Sequence, residues 1–336
     1  MKLLTIVVPI YNLEKYLPKC LDSLILEDKK QMEMLEVLMI NDGSTDNSAE
    51  VANKYELQYP GVFKLVNKEN GGSGSCRNLG LKMATGLYLR YLDADDWLTN
   101  LDRLVQDLQG CKANIVFTAV NIVHLQDGSI EFLPQQKPFG IERSLKEYNP
   151  VVNPYWATNF WYATYRTEIL QSAYPLFLEK ASYVDSILFV APLILGDSFI
   201  TYEYPVYNYL DGREGQSMAV SVMSKKWVQR FKAVKHQDNF VATNHAKIFE
   251  IEELTHKIVW HEYVRMIDEI STKPLKQYYS LLRLLKKFEP QVQFDERWEF
   301  LSERQKCFAK KSFCGFVLYD IRRRMVRKIS KYIAKK

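Results

Sequence analysis

Four short apolar runs, at residues 3–8, 35–40, 62–66 and 87–92, constrain the fold more than any other feature of the chain. The first, Leu3-Leu4-Thr5-Ile6-Val7-Val8, is β-branched and continuously apolar, like a strand buried on both faces. Pro9 ends this run, and Tyr11-Asn12 follow in a loop. Between the runs the apolar spacing becomes helical. Over residues 14–26 it picks out Tyr16, Leu17, Cys20, Leu21, Leu24 and Ile25, one face of a helix. Residues 48–59 and 76–84 read as helices too, the first preceded by the turn and capping run Asn41-Asp42-Gly43-Ser44-Thr45-Asp46-Asn47-Ser48. Strand alternating with helix predicts an α/β fold, a mostly parallel sheet flanked by helices.

Ligands of such sheets bind beyond the carboxyl ends of the strands. Tyr11, Asp42, the loop Asn70-Gly71-Gly72-Ser73-Gly74-Ser75 and the acidic stretch Asp93-Ala94-Asp95-Asp96 each follow a strand, so all four converge on one edge. Asp93 and Asp95 stand two apart at a strand end and point the same way. Paired hard oxygens there suit a divalent cation that also binds phosphate, and magnesium takes only one or two protein carboxylates. The same carboxylates also suit a helix cap. The convergence on one edge favours ligand binding, with Asp96 the least defined of the three.

A sugar nucleotide needs its base read, its diphosphate neutralised and its anomeric carbon set before a nucleophile. Asp42 is placed to accept the ring N–H of a uracil-like base, with Tyr11 stacking on it and Pro9 in contact. Gly71 and Gly72 let a ligand approach the backbone, and Arg77 can meet a phosphate or anchor the loop. The loop is not a dinucleotide fingerprint, because Gly72-Ser73-Gly74 leads into Cys76-Arg77, and no Gly-Lys-Ser/Thr makes it a P-loop. Asp185 opens an apolar helix and is a candidate base, but a carboxylate at a helix start needs no chemical role. Its spacing alone favours that structural reading. The aromatics Tyr155, Trp156, Phe160, Trp161 and Tyr162 suit an acceptor-sugar platform or a core equally. His261-Glu262 lacks the second histidine of a zinc-protease motif.

Later segments predict a helix at 101–108, a strand at 114–123, a hairpin at Asp127-Gly128 into 130–133, a helix at 182–195 and a strand at 199–209. From residue 225 the period is helical, over 227–240, 248–270 and 274–288. This divides the chain into a body, 1–220, with a nucleotide-binding half at 1–105 and an acceptor half at 106–220, and a helical extension at 221–336.

The charge is uneven. Residues 309–336 hold ten Lys/Arg and one acid, Asp320, a net of +9. The whole chain of 336 residues carries +5, so the rest carries −4, which argues against a nucleic-acid partner. Phe313, Phe316, Val317, Met325, Ile329, Tyr332 and Ile333 lie among the basic residues. Such a basic amphipathic helix can rest on an anionic membrane or pack on the extension. The five cysteines form no CxxC pair, which fits a reducing cytoplasm and no structural zinc. The longest apolar run, 187–195, is well short of the roughly 18 residues that suggest a membrane span. The expectation is a cytoplasmic protein, peripheral on the inner face of the cell membrane, of open oligomeric state.

Taken in order, Thr5-Ile6-Val7-Val8-Pro9-Ile10-Tyr11-Asn12, Asn41-Asp42-Gly43-Ser44-Thr45-Asp46, Asn70-Gly71-Gly72 through Arg77-Asn78, Ala84-Thr85-Gly86 and Leu92-Asp93-Ala94-Asp95-Asp96 resemble the family-2 glycosyltransferases, of bacterial surface-polysaccharide type. A weaker match runs from Trp161 to Ser217 and includes Tyr183-Val184-Asp185, where the family usually shows Tyr-Glu-Asp. The resemblance implies the GT-A nucleotide-diphospho-sugar transferase fold and inverting transfer from a UDP-sugar donor to a saccharide or lipid-linked saccharide. It implies Mn2+ or Mg2+, Asp42 on the base, Asp93, Ala94 and Asp95 at the donor and metal, and Asp185 as catalytic base, reversing the preference drawn from spacing. A sugar-phosphate nucleotidyltransferase would show a basic glycine-rich loop after the first strand, and Tyr11-Asn12-Leu13-Glu14 is not one. A non-catalytic sugar-nucleotide-binding subunit is disfavoured by the intact Asp-x-Asp.

Overall fold

A computed structural model describes residues 1–148, 160–216 and 220–270, and beyond these Tyr278, 281–283, Leu285, Lys286, Pro290, Cys307 and Phe316. The four apolar runs form β1 (Leu4–Ile10), β2 (Leu35–Asn41), β3 (Phe63–Asn67) and β4 (Tyr88–Tyr91). They pair in parallel in the order β3-β2-β1-β4. Between them run α1 (Leu17–Asp22), α2 (Lys29–Glu33), α3 (Ser48–Gln58) and α4 (Ser73–Met83). β1 is buried along nearly its whole length, as a strand covered on both faces requires.

Pro9 does not end β1, which continues to Ile10. The pairing of β1 with β4 stops at Val7 opposite Tyr91, so the missing N–H of Pro9 costs no ladder bond. β1 is the strand at which the order reverses, and the chain after β4 turns away from it. The crevice opened there is where an α/β sheet takes its ligand.

The second half adds β5 (Trp97–Leu98), α5 (Leu101–Leu108), β6 (Ile115–His124), β7 (Ile130–Leu133) and β8 (Arg143–Ser144). It continues through β9 (Ala163–Arg166), α6 (Thr167–Gln171), a 3-10 turn (Val184–Phe189), α7 (Ala191–Leu195) and β10 (Ser198–Asp211). β9 lies antiparallel between β4 and β6, and β10 runs parallel to β6. The parallel half expected from the sequence therefore continues into a mixed sheet. The expected helix at 182–195 is two pieces. Pro192, in the first turn of α7, starts a new helix rather than extending the 3-10 turn.

The helical extension begins with α8 (Val220–Thr243) and α9 (Phe249–Ile270). α8 packs on the 3-10 turn and α9 on α7, so Val234, Val241, Ile258, Val259 and Trp260 join the same core as the sheet. The helix expected at 274–288 lies largely outside the described residues. Among the described residues no helix is long and apolar enough to cross a membrane.

Candidate active site

The first wall of the crevice is the loop after β2. Asp42 is 3% exposed and turns its carboxylate onto the glycine loop. Oδ1 accepts from Gly71 N at 2.9 Å, and Oδ2 from Gly72 N at 2.8 Å. Lys68 Nζ bonds Oδ1 at 2.7 Å and also reaches Ser75 Oγ at 2.9 Å. Burial opposes the Asp42 charge, but Lys68 and the two N–H groups outweigh it and hold the carboxyl below its usual range. Gly72 takes φ +82° just before α4, a conformation glycine adopts freely. Asn12 Oδ1 accepts from Thr45 N at 2.8 Å, and Glu14 Oε2 accepts from Asn47 N at 2.9 Å. These bonds lock the loop after β1 to the loop after β2. Tyr11 stands on that rim, 49% exposed, and Pro9, two residues before it, is partly buried.

The second wall is the acidic turn after β4. Arg77, on α4 and 3% exposed, pairs with Asp93 Oδ1 at 2.6 Å. Burial works against the Arg77 charge, and Asp93 and Asp185 hold it in place. Arg77 therefore anchors the acidic turn from below and does not reach out to a phosphate. Asp93 is pushed up to about 6, by burial first, against the pull of Arg77 and with help from Asp95 and Asp185. Asp95 Oδ2 is gripped by Arg213, through Nε at 2.8 Å and Nη2 at 2.7 Å. Ala94 is buried between the two.

Asp96 points away from the crevice. It is 2% exposed, and its Oδ2 accepts from the Tyr207 hydroxyl at 2.6 Å while Oδ1 accepts from Leu210 N at 2.8 Å. Tyr207 Oη accepts in turn from Asp93 N at 3.2 Å. Asp96 thus ties the acidic turn to β10, and the ligand contacts considered for it from the sequence are not open to it.

Asp185 lies in the 3-10 turn, partly buried, where its charge acts on Arg77, Asp93 and Tyr165. Tyr183 before it takes φ +62°. The turn is held from behind by α8, where Gln237 Nε2 donates to Ser186 O at 3.0 Å. The structure therefore sets Pro9, Tyr11, Asp42 and Gly72 at the ends of β1 and β2 and the start of α4, and brings Asp93, Ala94, Asp95 and Asp185 together beyond β4, with Arg77 beneath.

Trp161 does not form the surface platform weighed for it. It is 6% exposed and stacks on Tyr209, with ring centroids 4.1 Å apart, because the aromatic run 160–162 is drawn into the core beside β9. Trp156 lies outside the described residues. Two residues here have no sequence motif behind them, Lys68 and Arg213. The only available signal was that each is a cation in a loop beyond a strand end. Arg213 sits in a loop fixed by Gln216, which accepts from Gly212 N at 3.1 Å and donates to Leu210 O at 2.7 Å.

The donor set fits a divalent cation. Asp93 Oδ2 and Asp95 Oδ1 make no hydrogen bond among the described residues, which leaves one hard oxygen on each. Among the described residues no group of three or more His, Cys, Asp or Glu side chains is placed to hold a metal ion, so the protein would supply at most these two carboxylates.

Residues 5–163 match the family model described as glycosyl transferase family 2. Glycosyltransferase GlyG of Streptococcus pneumoniae is 31% identical over 143 residues, which is 42% of this chain and 46% of that relative. The chain thus spans about half the length of this curated relative. Among solved structures, S. aureus TarS 1–349 in complex with UDP-GlcNAc superposes with a TM-score of 0.70 at 20% identity, covering 94% of this chain and 89% of that one. Mannosyltransferase PcManGT from Pyrobaculum calidifontis, in complex with GDP-Man and Mn2+, superposes at 0.51 and 17% identity, covering 95% and 86%. The fold is the GT-A fold that the sequence led us to expect.

Proposed function

We propose that the protein, whose residues 5–163 match the family 2 glycosyl transferase model, is an inverting glycosyltransferase, moving a sugar from a UDP-sugar to a saccharide or lipid-linked saccharide. The observation that carries this is the convergence of four carboxylates in three different settings on the edge beyond the strand ends. Asp42 is locked into the glycine loop, Asp93 and Asp95 each keep one open oxygen, and Asp185 lies near them without sharing their turn.

Asp42 Oδ2 accepts the N3–H of the uracil, and Tyr11 stacks on the ring above Pro9. The glycine backbone at Gly71 and Gly72 lets the ribose and phosphates approach the loop closely. The open oxygens of Asp93 and Asp95 would hold Mn2+ or Mg2+, which would supply Lewis-acid neutralisation of the diphosphate. Arg77 keeps Asp93 ionised and in place, and Arg213 adds a positive charge at the mouth of the same turn. Asp185 takes the proton of the acceptor hydroxyl as its oxygen attacks the anomeric carbon. The bond from that carbon to the diphosphate breaks in the same displacement, and UDP leaves with the electron pair.

UDP release from a panel of UDP-sugars, with and without Mn2+, tests this reading. Wild type turns over one or more donors only with metal, and Asp95→Ala turns over none. Metal-independent release by wild type, or undiminished release by Asp95→Ala, would remove the metal assignment.

A further inference from the structure

We infer that Lys68 sets the base specificity of the donor pocket, restricting it to bases that offer a single N–H donor. This rests on the proposed reading of Asp42 as the base acceptor. A carboxylate has about four acceptor positions, two on each oxygen. Lys68 Nζ and Gly71 N both bond Asp42 Oδ1, at 2.7 and 2.9 Å, so that oxygen is filled. Gly72 N takes one position on Oδ2 at 2.8 Å. One strong position is left, on Oδ2. The Cys76 thiol lies against the carboxylate, and burial first, then Asp42, pushes that thiol up to about 12. It stays protonated, a weak donor that a base N–H displaces.

Freeing Oδ1 would cost Lys68 its other bonds. Its three ammonium donors are all engaged, on Asp42 Oδ1, on Ser75 Oγ at 2.9 Å and on Glu69 O at 2.5 Å. The consequence differs between bases. Uracil offers one donor, N3–H, and meets the one open position. Guanine offers N1–H and the 2-amino group side by side, and needs both oxygens of a carboxylate. Here its second donor would face a filled oxygen and an ammonium, and would be buried without a partner. Cytosine and adenine present a ring acceptor and are refused by the carboxylate itself. Asp42 alone would admit uracil or guanine, and Lys68 removes guanine.

The test is calorimetric binding of UDP, GDP and IDP, each with Mn2+, to the full chain. Hypoxanthine is guanine without the 2-amino group, so it isolates the second donor. Wild type binds UDP most tightly, and binds IDP about tenfold more tightly than GDP, the cost of one unpaired buried donor. Lys68→Met reverses or abolishes the IDP preference by opening Oδ1, while Lys68→Arg keeps it. GDP binding wild type as well as IDP overturns the inference without any variant. So does an IDP-to-GDP ratio left unchanged in a folded Lys68→Met. Asp42→Asn separates the two levels. If it binds UDP like wild type, the base-acceptor reading falls and this inference with it. If it loses UDP affinity while the IDP-to-GDP ratio is indifferent to Lys68, only the role of Lys68 falls.

Discussion

Asp96 accepts from the Tyr207 hydroxyl and the Leu210 N–H, while Asp95 beside it keeps one oxygen open to the crevice. The two neighbours therefore respond differently to removal. Asp96→Ala leaves two buried donors unpaired, and we expect a loss of about 1–3 kcal/mol in urea unfolding. Asp95→Ala removes one partly buried ion pair with Arg213 and leaves no buried backbone donor unpaired, so we expect a smaller loss than for Asp96→Ala in the same measurement. Asp42 adds a pH dependence. Its folded-state pKa lies below the unfolded value of about 3.9, so the unfolded chain binds the proton first. Its stabilisation is present above that value and is lost as the pH falls toward the folded pKa. Acid unfolding followed by circular dichroism should show a shallower loss for Asp42→Asn than for wild type over that window. At this scale the sequence located Asp42, Asp93 and Asp95 by their order after strands. It did not locate Lys68 and Arg213, whose partners lie 26 and 118 residues away and depend on loop paths. It left Trp161 open because an aromatic run reads the same in a core as on a platform.

At the element scale, α4 carries the site and is itself held closely. A Cβ on Gly74 would collide with the Leu178 carbonyl, and Lys180 N bonds Gly71 O at 2.7 Å. Asn78 adds four bonds to the same segment, accepting from Leu176 N and Phe177 N and donating to Phe177 O and Glu179 Oε1. Gly74→Ala should cost about 1–3 kcal/mol or more, because the obstacle is backbone and cannot rotate away. Thermal unfolding measures it, and an unchanged Tm would show that the 176–180 segment does not pack there. α8 plays the matching part for Asp185. Gln237→Ala leaves the Ser186 carbonyl unpaired and loosens the turn, so turnover should fall while UDP affinity stays at the wild-type value. The strands β1 to β4 were legible because continuous β-branched runs between helical periods have few other solutions. β9 was not, since Ala-Thr-Tyr-Arg is four residues long and carries no period that marks a strand. The break before Pro192 escaped for a related reason, because the apolar period runs straight through it.

Over the whole molecule, one core joins the sheet to α8 and α9, so the extension supports the crevice from behind. The basic residues of 309–336 fall outside the described residues. Phe316, within that segment, is buried in the same core, so its ring is not free to rest on a membrane. The charge of the basic residues is the sequence's main pointer to a surface partner. We propose that they hold the protein on anionic lipid. In flotation with anionic vesicles the full chain should rise and a version ending at Cys307 should not, and equal flotation of both would remove the membrane role. The central claim is that Asp185 is the base of a UDP-sugar transfer whose nucleotide half is built separately. The most direct measurement is transfer to a true acceptor by Asp185→Asn, alongside its UDP affinity by calorimetry. The account predicts wild-type UDP affinity with transfer reduced about 100- to 10,000-fold. Undiminished transfer by Asp185→Asn would contradict it and place the base elsewhere.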